Sequence, residues 1–555
     1  MAILDTTLEY INKELKKELD IDSLDKILFD FGLEIESYNK TTDELKIDIT
    51  AERSDLLSEI GFIRALKAYL EISSVNEYKA KSSTYVLNIE NSVKPVRPFS
   101  VCAVIKNLTL TDDKLKQIIW AQEKLHLTLG RKRSVAAIGI YPLDKINFPI
   151  TFLSKQPKEI SFIPLGETEL FSGKDILEKN ETGIAYASLL ENKERYPVFV
   201  DSLGKTLSMP PIINSEDTGK VTTSTKDVFI ECSGFNLARL NQILNIVCCM
   251  FADFGGEIYQ VTINFGSEYS EKKIITPVLE YRKKIIPINE LNSLISTTLT
   301  IDEIEKLLIR MQYTIKKINK EKIEVTIPPF RCDVMHTVDV ADDLARSYGF
   351  NNINFKQPNI STIGGLTKES LVQNNIINVM TLLGYTEISP FSLSNKKELF
   401  ENFLIPVNKD ALDLGYSKDK NLDVIVTWLY PKLLKTLTNN QHRGYPQKIF
   451  SCNYVVIKDT EEENRSKNRL KLSAMTASSK ISYTQTVSDL LTLCNVLGQK
   501  LDLEKKNYPF YLKDRSAEII IDGKSVGHVG EINPDVLVNN DYFVPVVGFE
   551  IEILF

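Results

Sequence analysis

The chain has 555 residues, 43% hydrophobic and 25% charged, with a net charge of −7. This length exceeds what one hydrophobic core serves and implies three or four domains, and the composition is that of a folded globular protein, which excludes a disordered one. No global basic field exists to hold a nucleic acid, so such a partner needs local patches or another subunit, and no apolar run approaches the ~18 residues of a membrane span.

The opening "MAILDTTLEYINKELKKELD" has the mixed charge of a surface helix and not the pattern of a signal peptide. Residues 1–90 read as an N-terminal α+β domain. Within it, "AERSDLLSEIGFIRALKAYL" repeats Leu56, Leu57, Ile60, Ile63, Ala65 and Leu66 at helical spacing, with Asp55 expected as N-cap. "SVKPVRPF", with prolines around basic residues, reads as a linker. Residues 97–268 alternate β-rich runs such as "FSVCAVIKNLTL" and "DVFIECSG" with helices. Residues 269–350 give strands, a helix with Thr300 and Glu303 as a capping box, and an acidic helix. The polar stretch "NNINFKQPNISTIGG" leads into a mixed α/β region, 355–555, in which Asp522-Gly523 between apolar runs signals a tight hairpin. Seven cysteines at irregular spacings form neither a disulfide framework nor a paired CxxC zinc site, so a reducing, cytoplasmic location is expected.

Several motifs fail. "NSEDTGKVTTS" lacks the upstream glycine of a phosphate loop and carries Val221 where Ser or Thr would hold magnesium. "KLSAM" lacks the second lysine of a nucleotide-gripping loop. Cys248-Cys249, inside an apolar helix, reads as core. The acidic stretch "RCDVMHTVDVADDLARSYGF" holds Asp333, Asp339, Asp342 and Asp343. Ala341, Leu344, Ala345 and Tyr348 form an apolar stripe, which assigns Asp339, Asp342, Asp343 and Arg346 to the opposite face. On residues alone two readings stay open. One is a solvated first turn that complements the helix dipole, with Arg346 as partner. The other is a hard cation relieving the repulsion of Asp339 and Asp343, bound through water because magnesium takes few carboxylates directly.

The same stretch, as "IPPFRCDVMHTVDVADDLARSYGFNNI", resembles the phenylalanine–tRNA ligase β-subunit element with a D-(x)5-D-x-x-E-D pattern. "TAERSDLLSEIGFIRAL", "LSMPPIINSEDTGKVTTSTKDVFIECSGFN", "YPQKIF" and "DRSAEIIIDGKSVGHVGEINPDVL" resemble further elements of that family, in its order and across nearly the whole chain. The resemblance is to the archaeal and eukaryotic-cytosolic branch. It implies an α2β2 enzyme that uses ATP and magnesium to join phenylalanine to tRNA(Phe). It also implies an α+β multidomain fold: an N-terminal domain (1–90), an editing domain (97–268), a small helix-strand metal-binding domain (269–350) and a class II synthetase-like antiparallel-sheet domain (355–555). In the family the acidic pattern binds magnesium shared with the α subunit, which carries over to Asp333, Asp339, Asp342 and Asp343. Asp342 stands where Glu is usual.

Class II activation needs an arginine on a motif 2 strand and another after a glycine-rich motif 3, to clamp phosphates. After residue 360 the arginines are Arg443, Arg465, Arg469 and Arg515, and none follows such a run. The last domain is therefore expected to lack the catalytic motifs and to support the active site of the α subunit. "QNNIINVMTLLGYTEISPFS" would serve assembly, and "FSCNYVV" departs from the family's "FEVGDVV". The resemblance makes the second domain a proofreading module for tyrosine attached in error, a need that follows because a hydrophobic pocket rejects an added hydroxyl only modestly. Its candidate residues are Asn214, Ser215, Glu231 and Ser233, the last two on one face of a strand. Ser233 replaces the family's Thr and Asn236 its Asp, and with no Ser/His/Asp or Cys/His set nearby a positioned water is the expected nucleophile. The alternatives are a stand-alone hydrolase of mischarged tRNA and a structural tRNA-binding subunit with an inactive editing site. "RKR" (131–133), "YRKK" (281–284) and "KNRLK" (467–471) are candidate phosphate contacts.

Overall fold

The computed structural model describes residues 2–73, 76–355, 357, 360–417, 419 and 421–554. Residues 356, 358 and 359 of the expected polar stretch, and 74 and 75 of the expected first domain, lie outside them. The chain divides into two compact units, 1–357 and 358–555, both mixed α/β.

The first unit opens with an antiparallel sheet in which Glu44–Ile49 lies between Ala2–Thr7 and Glu34–Asn39. Helices Leu8–Leu15, Ile21–Phe31 and Glu59–Tyr69 pack with it. Helix Glu59–Tyr69 is capped by Ser58, whose hydroxyl accepts from Gly61 N at 3.1 Å, and not by Asp55 as its sequence suggests. Asp55 is held away by a buried two-pronged pair with Arg53, and Ser54–Leu56 form a separate 3-10 turn.

An eleven-stranded sheet follows. Near one edge of it, Val228–Gly234 lies between Phe99–Lys106 and the edge strand Ala136–Pro142. All seven residues of Val228–Gly234 are buried, which explains an apolar run without clean alternation. Helix Leu237–Asp253 covers this part of the sheet and buries Cys248 and Cys249 as expected. Strand Val86–Ile89 pairs in parallel with both Glu257–Phe265 and Ile150–Lys155, and Lys273–Thr276 pairs with Glu257–Phe265. The sheet thus extends beyond residues 97–268 on both sides. "SVKPVRPF" is no linker: Asn91–Val93 make a helical turn and Arg97 is only 2% exposed, because its guanidinium finds acceptors inside.

Residues 282–348 pair Lys322–Ile327 with Arg282–Pro287 and Thr314–Lys317, and helices Ile288–Ile295, Ile301–Arg310 and Thr337–Tyr348 pack around them. The Thr300–Glu303 capping box forms in both directions.

The second unit has a seven-stranded sheet in the order Thr386–Glu387, Gln447–Lys458, Ser466–Ala477, Val546–Glu552, Lys524–Ile532, Tyr511–Ile521 and Leu501–Lys505. It is antiparallel except at its first pair. Asp522-Gly523 is a two-residue hairpin with Ile521 facing Lys524, both loop residues at positive φ as such a turn requires. Helices Lys368–Leu382 and Tyr483–Val496 help to form one core, and helix Tyr430–Asn439 belongs to another. Among the described residues no helix is long and apolar enough to cross a membrane.

Candidate functional site

A cavity of about 410 Å³ opens where helix Asp112–Leu127 crosses the strands around Val228–Gly234. Ile118 and Ile140 supply apolar wall, and Ser208, Asn214 and Glu231 supply polar groups. Glu231 faces Gly139 across the strand pair. A Cβ at Gly139 would lie 2.3 Å from the Tyr141 hydroxyl and 2.6 Å from Glu231 Oε1, so only glycine lets these two side chains meet. The Tyr141 hydroxyl donates to Ser208 Oγ at 2.7 Å and lies 3.3 Å from Glu231 Oε1 and 3.4 Å from Asn214 Oδ1. Glu231 Oε2 is buried with no hydrogen-bond partner. Burial pushes the Glu231 carboxyl up to about 8, against the opposing pull of Arg97. A carboxylic acid in this state both donates and accepts, which suits it to bind a hydroxyl.

Ser233 lies on the same strand face but does not line the cavity. Its hydroxyl accepts from Arg97 Nε at 3.1 Å, and its carbonyl accepts from Arg97 Nη2. Ser215 is also buried outside the lining, where its amide donates to the Leu207 carbonyl. The structure therefore brings Asn214 and Glu231 to the cavity and sets Ser215 and Ser233 behind it. Asn236 caps helix Leu237–Asp253 by accepting from Arg239 N at 3.0 Å. His126 borders the cavity with both nitrogens engaged: Nε2 accepts from Ile138 N at 2.8 Å and Nδ1 faces Glu123 at 3.1 Å. Burial lowers its pKa, so it is a neutral, fully bonded histidine and not a free base.

The acidic stretch is not one solvated face. Arg331, 1% exposed, donates through Nη2 to Asp333 at 2.7 Å and to Asp343 at 2.6 Å. Asp343, at the border of the apolar stripe, is pulled inside by Arg331 and the Tyr313 hydroxyl. Asp339 Oδ2 accepts from Met335 N and His336 N at 2.7 and 2.6 Å, capping the helix, and Asp342 is exposed and paired with Arg346 at 2.8 Å. Among the described residues no three His, Cys, Asp or Glu side chains are gathered for a metal ion. The four carboxylates do not fit a magnesium ion as they stand, because two already share a guanidinium and one is spent on the helix start.

In the second unit, one face of the sheet is filled. Trp428, Tyr430, Phe510 and Tyr511 pack around His528, whose pKa burial lowers to about 3. Glu550, beside them, accepts from Leu429 N and Tyr430 N at 2.8 Å each and from Lys471 Nζ at 2.9 Å. Arg469 and Arg515 are paired with Glu552 and Glu531, and Arg443 lies in a turn.

The basic stretches are occupied in part, with Arg131 and Lys132 left exposed. Arg133 donates to the Ile212 carbonyl and to Glu123 at 2.8 Å each. Arg282 and Lys284 donate to carbonyls of residues 331, 334 and 335, and Lys283 pairs with Glu324. Lys467, Arg469 and Lys471 have carboxylate partners. Sequence reasoning missed Arg97, Gly139 and Tyr141. The glycine interrupting the apolar run "AAIGIYP" is the signal that marks a close approach.

Family models match three segments: the Phe-tRNA synthetase beta subunit B1 domain at residues 1–72, the tRNA synthetase B5 domain at 285–350 and the phenylalanyl tRNA synthetase beta chain CLM domain at 353–553. The phenylalanine–tRNA ligase beta subunit of Pyrococcus abyssi is 36% identical over 500 residues, covering 90% of this chain and 89% of that protein. That of Methanosphaera stadtmanae is 32% identical over 100% of this chain and 99% of that protein. A crystallised N-terminal fragment of the phenylalanyl-tRNA synthetase beta subunit from Pyrococcus horikoshii is similar in structure, with a TM-score of 0.59 and 33% identity, covering 62% of this chain and 99% of that one.

Proposed function

The chain belongs to the phenylalanine–tRNA ligase β-subunit family, and from that premise we propose that it supports ATP-dependent attachment of phenylalanine to tRNA(Phe) by an α subunit in an α2β2 complex, without activating the amino acid itself. The observation that carries this reading is the filled sheet face of the second unit. Aromatic side chains and the Glu550–Lys471 pair fill that face, Arg469 and Arg515 are spent on carboxylates, and Arg443 and Arg465 lie in turns. ATP is thus assigned to the α subunit's site. Magnesium supplies charge neutralisation of phosphates when bound, and Asp333, Asp339, Asp342 and Asp343, engaged within this chain, take no part in that chemistry.

The cavity of the first unit is assigned to hydrolysis of Tyr-tRNA(Phe). Its volume is in the range of small-ligand sites, about 300–1,000 Å³. Glu231, aimed inward with one oxygen unpartnered, would bind the hydroxyl that distinguishes tyrosine from phenylalanine, with Asn214 beside it. A water would attack the ester, since His126 is fully bonded and no nucleophile–base pair lines the wall. Ser233 acts from behind, through Arg97 and on the Glu231 carboxyl itself. The test is release of tyrosine from Tyr-tRNA(Phe) by the full-length chain copurified with its α-type partner, against Glu231→Ala. Release lost in the variant supports the assignment. No release by the unmodified protein refutes it and leaves a structural tRNA-binding subunit.

A further inference from the structure

Arg331 is a hub. Its Nε donates to Asp333 Oδ1 at 3.0 Å, its Nη2 to Asp333 and Asp343, and its Nη1 to the Met311 carbonyl at 3.1 Å. Asp343 takes a second donor, the Tyr313 hydroxyl, on the same oxygen. Alongside, Arg53 grips Asp55 with two bonds of 2.9 and 3.0 Å, and all five of these charged side chains are at most 9% exposed. Arg331 holds the Asp333 carboxyl below the usual carboxylate range although burial opposes it, and Arg53 adds to that pull.

We propose that Asp333 and Asp343 are the anionic half of a buried charge network centred on Arg331, which ties the loop at 331–333 to helix Thr337–Tyr348, and that they are not magnesium ligands. Magnesium demands near-octahedral oxygen ligands at about 2.0–2.1 Å and sheds water reluctantly. To reach Asp333, both of whose oxygens accept from Arg331, it must displace guanidinium donors, and at Asp343, whose Oδ2 accepts from Arg331, it would bring a dication beside that same buried guanidinium, which is the costly half of breaking an internal ion pair. Asp339 and Asp342 lie outside this network, engaged by backbone amides and by Arg346. The inference concerns the chain's own packing and stands independently of the charging and editing roles.

The test uses the full-length chain assembled with its α-type partner, in excess magnesium and in EDTA. Asp343→Asn lowers the unfolding midpoint by roughly 5–15 °C, equally in both conditions. Arg331→Met does likewise, and the double variant falls no further than the worse single one, as coupled partners do. Manganese soaked into crystals of the unmodified protein gives no anomalous peak at Asp333 or Asp343, a result available even if the variants fail to fold. The proposal is overturned by a magnesium-dependent rise in midpoint that Asp343→Asn abolishes, by an unmoved midpoint in that variant, or by manganese within bonding distance of either carboxylate.

Discussion

Replacing Glu231 by Gln tests the electrostatics of the cavity. The carboxyl is 2% exposed, one oxygen has no partner, and burial raises it from the ordinary 4.5 to about 8. That gap, at 1.36 kcal/mol per pKa unit, is about 5 kcal/mol. The sign follows from which state holds the proton. Between pH 4.5 and 8 the folded protein keeps a proton that the unfolded chain has released. Glu231 therefore costs no stability below about pH 4.5, costs progressively more as pH rises, and reaches its full cost above about 8. The amide carries no such proton, and its own buried N–H groups cost about 1–3 kcal/mol where they lack acceptors. Glu231→Gln is expected to gain roughly 2–4 kcal/mol over the unmodified protein above about pH 8 and to lose up to about 2 kcal/mol near pH 5. Unfolding midpoints followed by circular dichroism from about pH 5 to 9 should cross and then diverge. Parallel curves would mean that Glu231 keeps an ordinary pKa and that water or an unseen partner reaches Oε2.

Gly139→Ala puts a methyl within 2.6 Å of Glu231 Oε1 and 2.3 Å of the Tyr141 hydroxyl, so tyrosine release should fall about tenfold or more while phenylalanine attachment is unchanged; equal loss of both would place Gly139 in the general fold only. Arg97→Met removes the positive charge that restrains the Glu231 carboxyl, so the Glu231-dependent part of the pH–stability curve should move upward in pH, and an unmoved curve would deny the coupling. Glu550→Gln weakens acceptance from two backbone amides and removes the partner of Lys471, and it should destabilise the second unit by about 3 kcal/mol in urea unfolding. A loss under about 1 kcal/mol would show that water takes over these bonds.

Local chemistry was the legible part of the fold. The Thr300–Glu303 box and the Asp522-Gly523 hairpin depend on neighbours within four residues, and both form as their sequences suggest. The family was also reachable, from ordered motifs, whereas strand alternation put Ser233 in the cavity beside Glu231 and only Glu231 lines it. What stayed hidden was long-range pairing. Arg97 reads as linker chemistry until Ser233, 136 residues away, is folded against it. Asp55 reads as a cap until Arg53 claims it, and Asp343 as a surface acid until Arg331 and Tyr313 bury it. Period-3.6 arithmetic places a side chain on a helix face, but whether that border position meets water or a buried guanidinium is decided by strands elsewhere in the chain.

The central claim is that this subunit carries no ATP site of its own. The direct measurement is phenylalanine attachment to tRNA by the purified chain alone, by an α-type subunit alone and by the two mixed. Attachment only in the mixture is the predicted result. Attachment by this chain alone would contradict it and would require the packed face around Trp428, Tyr430 and Phe510 to open for a nucleotide.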